Sequence, residues 1–201
     1  MGKNKELRIN DAAELRAEEQ GKARVVSGYA AKYSRLSNDV GGFKEKIAPG
    51  AFRMAVSQRQ DVRCLVNHDA SLILGRTTSG TLKLEEDSVG LRFRCELPDT
   101  QYARDYYVAV RRGDISQCSF SFSVTKEDQS WDENGVDDDG KKCVIRTLRN
   151  ISELSDVSVV TYPAYEDTDA MARKRSSEFH TPTPPEDRYA RLTRVFREIN
   201  G

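Results

Sequence analysis

The chain is poor in histidine and has no excess charge of either sign. Among its 201 residues there are two histidines, and 32 Lys and Arg balance 32 Asp and Glu, for a formal net charge of zero. Proteins that bind nucleic acid or membrane surfaces non-specifically rely on a net positive field that attracts phosphate. The balance therefore argues against a general binder of either kind.

Long hydrophobic runs are also lacking. No stretch approaches the ~20 apolar residues needed to span a bilayer. The polar beginning, MGKNKELRIND, lacks the apolar core of a secretory signal. We therefore expect a soluble, intracellular protein.

The four cysteines form no CxxC pair. Cys64, Cys95, Cys118 and Cys143 are widely spaced, which is unfavourable for a zinc site, although Cys64 and His68 stand four residues apart. Buried free thiols are the better interpretation in a reducing compartment. No metal and no cofactor are expected.

Alternating apolar residues predict mostly strands. Residues 90–97 (GLRFRCEL) and 115–124 (ISQCSFSFSV) alternate with period two, and residues 143–163 predict two strands or one bent strand. Residues 100–112 have helical spacing, with Asp99 or Thr100 as the cap and Gly113 as the stop. This count favours a mainly β fold, either a mostly antiparallel sheet or a barrel wrapped by helices.

Composition divides the chain into four segments. Residues 1–22 form an N-terminal polar extension, and residues 23–171 form the folded domain. Residues 172–187 are a Pro-rich linker that is too polar to fold alone, and they contain His180. Residues 188–201 have apolar side chains at helical spacing, which predicts a short amphipathic C-terminal helix.

Three polar residues at separate strands have the chemistry of nucleophilic catalysis. His68 follows the short buried strand VRCLVN, Ser119 lies on the polar face of its strand, and Asp156 lies in ELSDVSVV beside Ser158 on one face. A hydroxyl, a base and an acid that orients the base are what this catalysis needs. By composition alone, a structural histidine and serines that solvate an exposed strand remain the favoured alternatives.

Five separated blocks extend this picture: GYAAKYS, GGFKEKIAPGAF, the long block that begins LVNHDASLILGRTTSG, ISQCSFSFSV and ELSDVSVVTYPAYEDT. In order and spacing they resemble the prohead (capsid) maturation proteases of tailed phages, over roughly Gly28 to Thr168. That family consists of serine proteases similar to herpesvirus assemblins. The resemblance implies a mainly β fold with helices (α+β), a closed antiparallel β-barrel surrounded by helices.

The resemblance also implies roles for particular residues. The NHD block makes His68 the base, and CSFSF makes Ser119 the nucleophile. Ser121 replaces the glycine usual in that block and is the alternative nucleophile. Asp156 stands where many phage members carry Glu and would complete the triad.

Two points of the implied site stay open. Glu153 is the alternative third member, and on a regular strand it lies on the face opposite to Asp156, so that at most one of the two reaches His68. The groups of the oxyanion hole are not defined, and Arg76 and the backbone near Thr161 are candidates.

The implied function is a serine endopeptidase of prohead maturation. It would cleave scaffold protein, or the scaffolding segment of the major capsid protein, and itself, inside the immature prohead in the host cytoplasm. Its partners would be these proteins and its own copies, in autoproteolysis and in a homodimer or other oligomer, with no nucleic acid and no membrane. Exposure makes the linker 172–187 the expected region of self-cleavage. The alternative is a non-enzymatic β-barrel protein, structural or binding, associated with the capsid or scaffold.

Overall fold

The computed structural model describes residues 5–11 and 13–161. Within these residues the chain forms twelve strands and two helices. The strands are β1 (Glu6–Asn10), β2 (Arg16–Gln20), β3 (Ala23–Lys32), β4 (Lys44–Ile47), β5 (Arg63–Val66), β6 (Asp69–Arg76), β7 (Leu82–Glu86), β8 (Gly90–Glu96), β9 (Gln117–Ser123), β10 (Gln129–Val136), β11 (Lys142–Leu148) and β12 (Glu153–Val160), and the helices are α1 (Arg53–Ser57) and α2 (Gln101–Arg112). The predicted linker 172–187 and terminal helix 188–201 lie outside the described residues.

The strands form three separate open sheets. Their orders are β1-β9-β12-β5-β6, β10-β11-β4 and β2-β3-β8-β7. The predicted closed barrel surrounded by helices is therefore wrong, because within the described part of the chain each sheet ends in two edge strands and the two helices are too few to enclose it. Nor is the pairing wholly antiparallel, since β12 pairs with β5, and β11 with β4, in parallel.

The five-stranded sheet has one strongly apolar face that packs into the core. On β9, Phe120 and Phe122 are fully buried, and Phe120 meets Phe52 edge to face, with 5.6 Å between ring centroids. Val157 and Val159 of β12 extend the same face. Because side chains alternate along a strand, residues 119, 121 and 123 of β9 lie on the other face, where the site described below is found.

Helix α2 has the ends that the sequence predicts. Thr100 is its N-cap in extended conformation, and Gly113 ends it with a φ of 83°, the left-handed conformation that glycine adopts without steric cost. None of the helices among the described residues is long and apolar enough to cross a membrane.

The first residues of the chain are part of the sheets. β1 pairs with β9, with Ile9 opposite Ser119, and β2 pairs with β3. An ion-pair network holds β1: Arg8 Nε donates to Glu45 at 2.7 Å, and Arg146 Nη1 donates to both Glu6, at 2.6 Å, and Glu45, at 3.0 Å. The segment that composition sets apart as a polar extension thus supplies the edge strand beside Ser119.

Candidate active site

Ser119, His68 and Asp156 meet on the polar face of the five-stranded sheet. Ser119 lies on β9 and Asp156 on β12, and the register pairs Ser119 with Ser158 and Ser121 with Asp156. His68 belongs to the turn between β5 and β6, and β5 runs parallel to β12 on the side away from β9. Adjacent strands therefore deliver the hydroxyl and the carboxylate, and the turn brings the imidazole over them.

The three side chains form a continuous hydrogen-bonded chain. His68 Nδ1 lies 2.5 Å from Asp156 Oδ1, and His68 Nε2 lies 2.6 Å from Ser119 Oγ. With Nδ1 as the donor to the carboxylate, Nε2 is left unprotonated and accepts the hydrogen bond of the hydroxyl. In this tautomer the imidazole can accept a proton from the hydroxyl of Ser119.

The turn that carries His68 has an unusual backbone. Val66 pairs with Asp69, so Asn67 and His68 form a two-residue hairpin loop, with φ values of 48° and 60°. Two positive φ angles are typical of a type I′ turn, in which glycine is common at the second position. Asn67 tolerates this conformation, and its Oδ1 accepts a 2.9 Å hydrogen bond from the backbone N–H of Thr161. The surrounding fold therefore holds the backbone of His68 in a left-handed conformation that histidine does not favour by itself.

Asp156 is buried, at 3% exposure, and keeps its negative charge through its partners. Burial acts to raise the pKa of its carboxyl, but the hydrogen bond and charge of His68, the hydroxyl of Ser158 and the charge of Lys5 outweigh that effect and lower the pKa below its ordinary value. Lys5 Nζ lies 3.5 Å from Asp156 Oδ2. Asp156 is therefore an ionised partner for an imidazolium.

Ser158 belongs to this cluster and was not among the predicted site residues. Its Oγ donates to Asp156 Oδ1 at 2.9 Å, lies 3.2 Å from His68 Nδ1 and accepts the backbone N–H of His68 at 3.3 Å. Its position two residues after Asp156 on the same strand face was the signal that could have identified it.

The serine row of β9 is buried, so the interpretation that these serines solvate an exposed strand is wrong. Ser119 is 2% exposed and Ser121 is 0% exposed. The two differ in their partners, because Ser119 contacts His68 whereas Ser121 Oγ is a buried side-chain oxygen without a hydrogen-bond partner in the described structure. The structure thus brings Ser119, not the alternative Ser121, to the imidazole.

A bulge in β12 decides which face Glu153 occupies. The register shifts between Leu154 and Asp156, so that Glu153 lies opposite Ser123 and Asp156 lies opposite Ser121. The expectation that Glu153 and Asp156 lie on opposite faces is wrong, because the extra residue of the bulge restores both to the face of Ser119. The carboxylate in contact with His68 is that of Asp156.

The candidate oxyanion groups already have other partners. Arg76 donates to both carboxylate oxygens of Asp61 at 2.6 Å, and the N–H of Thr161 is bonded to Asn67.

Cys64 is a free buried thiol whose pKa is raised by its neighbour Cys95 and by burial. Among the described residues no group of His, Cys, Asp and Glu is arranged to hold a metal ion.

Comparisons with known proteins assign the chain to a family. The family model for the caudovirus prohead serine protease matches residues 11–182. Over 167 residues the chain is 31% identical to the prohead protease of Enterobacteria phage HK97. The aligned region covers 82% of this chain and 66% of that relative, so the chain spans just under two thirds of the relative's length.

A solved structure, the capsid assembly protease of bacteriophage T4, is similar over 79% of this chain and 99% of that chain, with 12% identity and a TM-score of 0.40. At that TM-score the likeness supports no conclusion about this chain. The family match, in contrast, covers most of the sequence, and the matched range spans positions 68, 119 and 156. The chain therefore belongs to the caudovirus prohead serine protease family.

Proposed function

We propose that this protein is a serine endopeptidase of prohead maturation in which Ser119 is the nucleophile, His68 the general base and Asp156 the residue that orients His68. The observation that carries the proposal is the unbroken contact chain from Asp156 Oδ1 through both nitrogens of His68 to Ser119 Oγ. Family membership supports the class of reaction.

The contacts suggest how the reaction proceeds. His68 Nε2 takes the hydroxyl proton as Ser119 Oγ attacks the scissile carbonyl carbon, and the imidazolium that forms is stabilised by ionised Asp156. His68 then gives that proton to the leaving amine as the peptide C–N bond breaks, which leaves an acyl-serine. Water, deprotonated by His68, hydrolyses this ester and regenerates Ser119.

The substrates that we propose are assembly proteins of the phage. The relative from phage HK97 is named a prohead protease, which supports scaffold protein, or the scaffolding segment of the major capsid protein, as the target, together with the enzyme itself. The place of action would then be the interior of the immature prohead within the host cell.

A fluorophosphonate probe tests the nucleophile without knowledge of the substrate, because it reacts with activated serines. We expect the wild-type chain to gain one adduct, located on Ser119 by peptide mass spectrometry, and Ser119→Ala to gain none. Ser121→Ala is the matched control and should be labelled like the wild type. Labelling of Ser121 in the wild type would overturn the assignment of the nucleophile, and a wild type that is neither labelled nor cleaves co-expressed capsid protein would favour the non-enzymatic alternative.

A further inference from the structure

A cavity of about 340 Å³ opens beside the proposed catalytic residues. His68 and Asp156 form part of its lining, and Lys5 of the N-terminal segment and Arg63 of β5 contribute two cationic side chains. His68 lies 2.6 Å from Ser119 Oγ and also borders the cavity, so a substrate side chain close to a scissile bond at Ser119 is within reach of this space. The cavity is thus placed to select among substrate side chains.

Positive charge predominates in the cavity. Among the described residues Asp156 is the single carboxylate in its lining, against Lys5 and Arg63. Asp156 is bonded to His68 and also pairs with Lys5 at 3.5 Å, so the lining has one more cationic side chain than it has carboxylates. Arg63 pairs with Asp61 at 3.1 Å, but Asp61 is bonded through both oxygens to Arg76. One carboxylate therefore serves two guanidinium groups, and this cluster retains a net positive charge.

Both cations are accessible to an incoming group. The side chain of Lys5 is 57% exposed and that of Arg63 is 39% exposed. Apolar lining lies beside them, since Leu7, Leu65 and Ala70 also border the cavity. Leu7, on the edge strand of the five-stranded sheet, is 47% exposed. The methylene groups of a substrate side chain in the cavity would cover part of this apolar lining and remove it from water.

We propose that this cavity is a substrate subsite for an acidic side chain, glutamate or aspartate, close to the scissile bond. The stem of the side chain packs on Leu7 and Leu65, and its carboxylate accepts hydrogen bonds from Arg63 and Lys5. This inference rests on the proposed endopeptidase function. Because His68 becomes positively charged during acylation, a carboxylate in the cavity is held more strongly in the transition state than in the bound substrate, and the preference appears in kcat/KM.

The test begins with the cleavage sites of the wild-type enzyme in a complex mixture of denatured proteins, read by mass spectrometry. A cleaved peptide is then synthesised in three forms, with Glu, Gln or Lys at the position enriched in acidic residues. We expect kcat/KM for the Glu peptide to exceed that for the Gln peptide by about tenfold, the effect of one charge-assisted hydrogen bond.

Variants assign the preference to the cavity. Arg63→Gln should reduce the ratio of Glu to Gln cleavage toward one while the Gln peptide is still cleaved, and Arg63→Glu should make the Lys peptide the better substrate. Lys5→Gln gives an independent reduction if an Arg63 variant fails to fold. Arg111→Gln, a change at an exposed arginine of α2 outside the cavity lining, is the matched control and should keep the wild-type ratio.

The outcomes separate this subsite from the endopeptidase function beneath it. Cleavage without enrichment of acidic residues at any position, or a Glu-to-Gln ratio that Arg63→Glu and Lys5→Gln leave unchanged, overturns the subsite and leaves the protease intact. A wild type that cleaves no peptide and whose Ser119 does not react with fluorophosphonate overturns both. Fluorophosphonate labelling of each variant reports the fraction with a functional Ser119, so a loss of specificity is distinguished from a loss of folded enzyme.

Discussion

At the scale of single residues, Ser119 and Ser121 lie two positions apart on the same face of β9 in different surroundings. Ser119 donates into the imidazole, whereas the hydroxyl of Ser121 is buried without a partner. An unsatisfied buried hydroxyl costs about 1–3 kcal/mol relative to an apolar group of the same shape. Ser121 is therefore a site where an apolar residue would suit the fold better.

We predict that Ser121→Ala increases the free energy of unfolding by about 1 kcal/mol and leaves Ser119 reactive. The corresponding rise in Tm is about 2–4 °C for a chain of this size. Differential scanning fluorimetry measures the shift, and the rate of fluorophosphonate labelling measures reactivity. A fall in Tm would mean that the hydroxyl has a bonding role, and a loss of labelling would mean that it belongs to the reacting group.

Ser158 is the second residue with a distinct prediction, because its hydroxyl contacts both Asp156 and His68. Ser158→Ala should lower kcat/KM by about 10-fold to 100-fold, since hydrogen bonds to charged groups contribute about 1.5–3 kcal/mol. Ser158→Thr retains the hydroxyl and should recover most of that loss. The dependence of kcat/KM on pH separates positioning from a structural role: Ser158→Ala should move the acidic limb of the profile, whereas a profile of unchanged shape with a lower Tm would indicate packing alone.

At the scale of secondary structure elements, local periodicity predicted what depends on one strand or helix alone. The alternation of Leu91, Phe93 and Cys95 predicted β8, and all three are buried. The helix that ends at Gly113 and the strand that carries Ser119 were likewise predicted, and residues 142–160 form two strands. These predictions are confirmed because one buried face imposes its period on the sequence.

Elements that depend on distant partners were not predictable in this way. β2, with the sequence RAEEQ, has no apolar face and is a strand because β3 pairs with it. The acidic stretch 127–139 has the composition of a solvated loop, yet most of it is β10, paired with β11. The bulge between Leu154 and Asp156 is defined by the pairing of β12 with β9, so no local pattern in the sequence predicts it. The candidate site was therefore identified through motif resemblance, while Ser158 and the position of Glu153 required the pairing.

The turn of Asn67 and His68 gives a prediction at this scale. In Asn67→Ala a non-glycine residue must keep a positive φ without the Asn side chain that bonds the N–H of Thr161. We expect the free energy of unfolding to fall by about 2 kcal/mol, from about 1 kcal/mol of left-handed backbone cost and about 1 kcal/mol for the lost hydrogen bond. Urea unfolding measures this change.

The matched variant Asn67→Gly separates the two contributions. Glycine adopts the left-handed conformation freely but also lacks the side-chain bond, so its loss should be smaller than that of alanine. Labelling of Ser119 should be slower in Asn67→Ala than in Asn67→Gly, because the turn sets the position of His68 over Ser119. Equal stability and equal labelling of the two variants would show that the positive φ at residue 67 is not a constraint on the site.

At the scale of the whole molecule, the site exists only when the five-stranded sheet is assembled from distant parts of the chain. His68 is 51 residues from Ser119 and 88 from Asp156 in sequence, so no local segment contains the arrangement. The edge strand β1 borders β9 and is tied through Glu6 and Arg8 to Glu45 and Arg146 on the three-stranded sheet. Protonation of the carboxylates in this network should therefore perturb the site as well as destabilise the fold.

The pH dependence of stability follows from groups whose pKa differs between the folded and unfolded chain. Burial acts to raise the pKa of Glu6, but its hydrogen bond to Arg146 and the charge of Arg8 lower it below the ordinary value of 4.5. A lowered folded pKa contributes stability that is present above pH 4.5 and is lost as the pH falls through the folded pKa. The pKa of Tyr33 is raised far above its ordinary value of 10.0 by burial and by the hydrogen bond to Glu86, so its contribution is present below pH 10 and is lost above it.

We therefore predict a plateau of unfolding free energy between about pH 5 and pH 9, with a decline on both sides. Urea unfolding across the pH range measures it, and two single variants assign the limbs. Glu6→Gln should be less stable than the wild type on the plateau and should approach it below pH 4, because protonation removes the same charge from the wild type. Tyr33→Phe should make the alkaline limb shallower and leave the acidic limb unchanged, because other groups with raised pKa values, such as Cys118, remain. The contrary result is a pair of stability curves, for the wild type and Glu6→Gln, that stay parallel down to low pH. That result would show that the charge of Glu6 does not hold β1, and that this network does not stabilise the edge of the five-stranded sheet.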